Sequence, residues 1–170
     1  MVLKKKHTQN GTQADAHLFS SKKPAPDGIP VHKLSNQDKK FIESMRSWST
    51  DDAEKLLKAG ASINCQDENG MTPLMHAVNG NNFRMVEFLL NHRANVYLAD
   101  KNGRTALMYA VCRGSPFSHM EFSSDSRPIA HLLLNRGSNA NAKDNEGKSV
   151  LQMAGNDKMR ELLKKHNARE

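Results

Sequence analysis

The run DENGMTPLMHA begins at Asp67 and returns 33 residues later as DKNGRTALMYA at Asp100. A looser third copy, DNEGKSVLQMA, begins at Asp144, 44 residues further on, which is one period plus 11. The period therefore survives an insertion. A unit this short cannot bury its own apolar face, so such units stack side by side and share one continuous core.

Each copy spells out the same local structure. The aspartate of D-x-x-G can accept hydrogen bonds from the backbone that follows it, and the glycine supplies the positive φ such turns need. Thr72 and Thr105 then stand where a helix N-cap hydroxyl is wanted, and Pro73 occupies a first helical position, where its missing N–H costs nothing. Apolar residues follow at helical spacing, with Leu74, Ala77 and Val78 in a first helix and Val86, Leu89 and Leu90 in a second. Ala77 and Ala110 are small enough for helices to approach closely, and Gly60 and Gly137 end second helices in the left-handed conformation.

These residues resemble the ankyrin repeat family, whose unit reads D-x-x-G-x-T-P-L-H-x-A-A, then a second helix ending in leucines, then G-A-D-V-N. The first full copy matches at Asp67, Gly70, Thr72, Pro73, Leu74, Ala77, Val86, Leu89, Leu90, Ala94 and Val96. The second matches at Asp100, Gly103, Thr105, Leu107, Ala110, Leu133, Leu134 and Gly137. Partial units precede and follow. The resemblance implies an all-α solenoid of helix-turn-helix units with connecting β-turn or hairpin loops over residues 35–166, in units 35–66, 67–99, 100–143 and 144–166.

Three departures bear on stability. Met75, Met108 and Gln152 replace the family's histidine, so the network that ties the turn is expected to be absent or altered. Arg93 stands where glycine usually ends the second helix, at a cost of about 1 kcal/mol. Tyr97 replaces the hairpin asparagine seen as Asn64 and Asn141.

Upstream, S-N-Q-D at Ser35 predicts a capped first helix that turns Phe41, Ile42 and Met45 inward. Thr50, followed by Asp51 and Asp52, is expected to cap the second. Trp48, in the connecting turn, either covers the apolar end of the stack or anchors a partner.

The 11 extra residues fall between the two helices of one unit, most simply Ser115 to Asp125. Lengthening a turn there leaves the stack intact because closure cost grows slowly with loop length. Phe117, Met120 and Phe122 in this insertion loop are apolar residues the repeats do not require; they either fold back on neighbouring helices or meet a partner. Ser115-Pro116 is a minimal proline-directed phosphorylation site, and a phosphate there would lie beside Arg113 and Arg127.

Charge is concentrated upstream of the repeats. Residues 1–40 carry eight lysines against Asp15, Asp27 and Asp38, which is +5 of the chain's +7. Residues 1–34 have the composition of a disordered, solvated tail. Its lysine clusters, Lys4 to Lys6 and Lys22-Lys23, also suit a nuclear address, a phosphate-binding arm or a contact with an acidic protein.

The expected location is the cytoplasm or nucleus, since no stretch near the start has the form of a signal peptide and no apolar run reaches membrane-spanning length. Cys65 and Cys112 are expected to be reduced thiols, and eight scattered histidines lack metal-ligand spacing. No phosphate-cradling glycine loop or nucleophile elbow is present, so no enzyme activity and no cofactor are expected.

The resemblance implies binding of a partner protein in the groove formed by hairpin tips and first helices. The positions that would line it are Glu68, Asn69, Met71 and Asn79, then Lys101, Asn102, Arg104, Cys112 and Arg113, then Asn145, Glu146 and Lys148. Lys101, Arg104, Arg113 and Lys148 make a stripe suited to an acidic partner, unless they serve only solubility. The leading expectation is a non-catalytic adaptor, monomeric when free. A regulator of the cell cycle or of a kinase complex is the alternative, since small members of the family include kinase inhibitors and noncatalytic subunits. A nucleic-acid-associated protein using the tail, or an effector delivered by a bacterium into host cells, ranks lower.

Overall fold

In a computed structural model, residues 34–45, 49–112 and 125–169 are described, and they form helices joined by turns. The pairs are α1 (Asn36–Ser44) with α2 (Thr50–Lys58), α3 (Pro73–Asn79) with α4 (Phe83–Asn91), α5 (Ala106–Cys112) with α6 (Arg127–Asn135), and α7 (Val150–Met153) with α8 (Asp157–Lys165). First helices stack on first helices along α1, α3, α5 and α7, and second helices on second helices along α2, α4, α6 and α8. Strand pairing among the described residues is confined to single bridges, Ala99 with Thr105 and Lys143 with Ser149, at the hairpin necks.

One apolar seam runs through all four pairs. Phe41, Leu74, Leu89, Leu107, Leu133 and Leu163 are buried in it, and the alanines at 77 and 110 sit where helices meet. Met75 and Met108, which hold the histidine position of the family pattern, are also fully buried, so two turns of the stack have exchanged a polar group for unbranched apolar volume.

Caps begin the helices largely as the sequence indicates. Ser35 and Asp38 form a reciprocal capping box, and Thr72 accepts from the Met75 N–H at 3.2 Å. Asp38 does more: its other carboxylate oxygen accepts from the Ser62 N–H at 2.7 Å, which ties α1 to the loop after α2. Partial burial works against its charge, but hydrogen bonds from the Ser35 hydroxyl and from the Ser62 and Ser35 amides prevail and hold its carboxyl below the usual range.

Two expected caps differ. Ser49, one residue before Thr50, accepts from the Asp52 N–H and starts α2, because Ser49 takes the extended backbone an N-cap requires while Thr50 is already helical. Thr105 enters the Ala99 bridge, and its hydroxyl is buried without a hydrogen-bond partner. Arg93 does adopt the left-handed conformation, with φ of 64°, where Gly60 and Gly137 stand in neighbouring units. Trp48 and the insertion residues Ser115, Phe117, Met120 and Phe122 lie outside the described residues, as does the tail through residue 33.

Candidate functional site

Between consecutive units the turns are fastened to one another by backbone hydrogen bonds. The Lys101 N–H donates to the Asn69 carbonyl at 3.0 Å, and the Asn145 N–H donates to the Asn102 carbonyl at 3.0 Å. The Asn145 side-chain amide adds a bond to the Lys101 carbonyl at 2.9 Å. Backbone bonds thus help fasten each turn tip to the next, and side chains at the turn tips project along one edge of the array. Glu68, Asn69, Lys101, Asn102, Asn145, Glu146 and Lys148 are exposed there, with Met71 and Arg104 half-buried beside them. Asn79, at the end of α3, is exposed, and Cys112, at the end of α5, is half-buried. Arg113 lies outside the described residues.

Each turn is held by its aspartate. One oxygen of Asp67 accepts from the Asn69 and Met71 amides, both at 2.8 Å, and Asp100 and Asp144 repeat the arrangement on their own turns. The second oxygen distinguishes the units. That of Asp67 pairs with His76 Nε2 at 2.8 Å, and that of Asp100 accepts from the Tyr109 hydroxyl at 2.6 Å. The network expected to be absent or altered is therefore altered: the tie comes from the residue after the family's histidine position. Its sequence signal is a polar side chain nine residues beyond the turn aspartate, and Met153 breaks that pattern in the last unit.

Asp144, whose side chain is nearly fully buried, instead has Arg104 of the preceding unit 3.9 Å away, too far for a hydrogen bond. The Arg104 Nε is itself buried without a hydrogen-bond partner. Arg104 is consequently half committed to the stack, whereas Lys101 and Lys148 stand out into solvent. Burial raises the Cys112 thiol pKa, Arg104 and Lys148 pull it down, and Asp144 opposes them, so these groups converge on the end of α5. The Cys65 thiol is pushed up to about 12, chiefly by burial, and is packed in the core.

Among the described residues, no group of three or more His, Cys, Asp or Glu side chains could hold a metal ion, and no helix is long and apolar enough to cross a membrane.

A family model of three ankyrin repeats matches residues 45–122, and a model of the single repeat matches residues 102–145. The chain belongs to the ankyrin repeat family. It is similar to the ankyrin repeat protein FPV031 of fowlpox virus (strain NVSL), with 28% identity over 142 residues, covering 79% of this chain. The match spans only 38% of that relative's length. Ankyrin repeat proteins are in general non-catalytic modules that mediate protein–protein interaction.

Proposed function

We propose that this chain is a non-catalytic adaptor of the cytoplasm or nucleus that holds a partner protein against its turn tips and first helices. One observation carries the reading: the turns are held by their aspartates and by backbone hydrogen bonds to one another, which leaves Glu68, Asn69, Lys101, Asn102 and Lys148 exposed in a row that the fold does not consume. A row of polar side chains on a rigid backbone suits recognition, because little conformational freedom is lost when a partner docks. The exposed ammonium groups of Lys101 and Lys148 favour an acidic patch on the partner.

Affinity purification with mass spectrometry tests this reading. The parent protein should retain a partner that the Lys101→Glu/Lys148→Glu variant loses, while a deletion of residues 1–34 retains it. Loss with the tail deletion alone would move the site to the lysine-rich leader. A kinase among the retained proteins would turn the reading towards a noncatalytic subunit or inhibitor of a kinase complex.

A further inference from the structure

A second surface, on the row of second helices, has its own chemistry. Residues 125–169 carry nine Lys and Arg against five Asp and Glu, whereas the described residues before them carry eight against nine. The excess is concentrated on α8 and just beyond it. There Lys158, Leu162 and Lys165 fall on one stripe of the helix, two turns from end to end, or about 10 Å.

This stripe faces α6 across an open cleft of about 550 Å³. Asp125, just before α6, and Arg127, Pro128 and His131 on α6 line the opposite wall, and no lining residue comes from a turn tip or a first helix. Pro128 is exposed, and Leu162, half-buried against the core, gives the cleft an apolar strip between the two lysines.

Its cations are not equivalent. Arg127 is clamped by Asp125, with Nε at 2.8 and 2.9 Å from the two carboxylate oxygens and Nη2 at 2.6 Å from one of them. That charge is satisfied within the chain. Lys158 and Lys165 have no carboxylate within 4 Å among the described residues and both are exposed, although Lys158 is near enough to help lower the Asp125 pKa. The cleft therefore presents two available ammonium groups on either side of an apolar strip.

We propose that the cleft between α6 and α8 is a second docking site, separate from the turn-tip groove, that takes a short acidic segment of a partner protein with one apolar side chain flanked by carboxylates. The apolar side chain lies on Leu162 and Pro128, and the carboxylates meet Lys158 and Lys165. The same walls disfavour a nucleic acid. The lining has no Phe, Tyr or Trp on which a base could stack. Charge complementarity supplies orientation and encounter rate, and the apolar strip supplies the selectivity that exposed charge lacks.

The test uses the full chain and a fluorescein-labelled peptide with one leucine in the middle of a run of glutamates, followed by fluorescence anisotropy. The parent should bind it, and Lys158→Glu/Lys165→Glu should weaken binding roughly tenfold or more, since about 1.4 kcal/mol is a factor of ten. The turn-tip variant Lys101→Glu/Lys148→Glu should bind as the parent does, which separates this site from the groove proposed above. Replacing the peptide's leucine by glycine should weaken binding, and a single-stranded oligothymidine should not displace the peptide. Unchanged thermal melts of both lysine variants would show that the fold is intact. Absence of peptide binding, equal loss with the turn-tip variant, indifference to the leucine, or displacement by the oligonucleotide would each overturn the proposal.

Discussion

His76 Nε2 lies 2.8 Å from Asp67 Oδ2, while the other oxygen of the same carboxylate holds two backbone amides of the turn. One side chain thus fastens a turn tip to the first helix behind it, and Tyr109 with Asp100 repeats the device one unit on. Removing the carboxylate strands the two amides, whereas removing the imidazole leaves the turn itself bonded. Asp67→Ala should therefore destabilise the protein by about 1 to 3 kcal/mol and His76→Ala by less, compared in urea melts. Equal losses would mean that the tie matters as much as the turn.

Tyr109 adds a pH dependence. Burial, followed by its hydrogen bond to the Asp100 carboxylate, raises the phenol above its ordinary pKa of 10. A group whose pKa is raised on folding contributes stability that is complete below its unfolded value and is lost as pH climbs towards its folded one. The parent should lose stability above pH 10, and Tyr109→Phe should lose less over the same range. Parallel melting curves against pH for the two proteins would contradict this assignment.

Gly103 and Gly147 occupy the same place in successive turns, with φ of 77° and 80°, yet their surroundings differ. A Cβ on Gly103 would press on the Asn145 side chain and stand 2.8 Å from its backbone nitrogen, whereas one on Gly147 would meet nothing. Both alanine variants pay for the left-handed backbone, on the order of 1 kcal/mol, and only Gly103→Ala also breaks the turn-to-turn bond. Gly103→Ala should be the less stable of the two in thermal melts. The reverse order would mean that the turns are not stacked as described.

Two positions mark where the array falls short of its own pattern. Arg93→Gly should relieve its left-handed strain and raise stability by roughly 0.5 to 1 kcal/mol, the entropy of the added glycine offsetting part of the gain. Asn64 accepts from the Asn95 amide at 2.8 Å and Asn141 from the Arg169 amide at 2.7 Å, each reaching into the next unit. Tyr97, exposed at the equivalent position, has no side-chain acceptor that can do so in the same way, and its hydroxyl lies instead near Gly137. Tyr97→Asn should restore the missing bond and add about 1 kcal/mol. A lower melting temperature for either variant would contradict the reading.

The repeat made the helix pairs legible because turn aspartate, positive-φ glycine, cap hydroxyl and apolar spacing are all local signals. Adjacent hydroxyls blurred one boundary: Ser49 and Thr50 are chemically alike, and only the backbone conformation decides between them. The role of His76 needed a distance across nine residues that the family pattern does not advertise. Arg104 read as a surface cation because its approach to Asp144 spans an insertion, and the cleft between α6 and α8 depends on residues about 30 apart that only stacking brings together.

The core leucines give a check on the stack itself. Leu107, on α5, is fully buried between the units on either side. Leu107→Ala should cost about 2 to 5 kcal/mol, and an unchanged melting curve would refute the shared seam.

Whether the turn tips hold the partner is tested most directly by hydrogen–deuterium exchange of the protein alone and in its purified complex. Slowed exchange is expected in residues 67–71, 100–104 and 144–148 when the partner is bound, at turns whose backbone geometry is already set in the free protein. Unchanged exchange at all three turns, with protection confined to residues 1–34 or to the second helices, would contradict it.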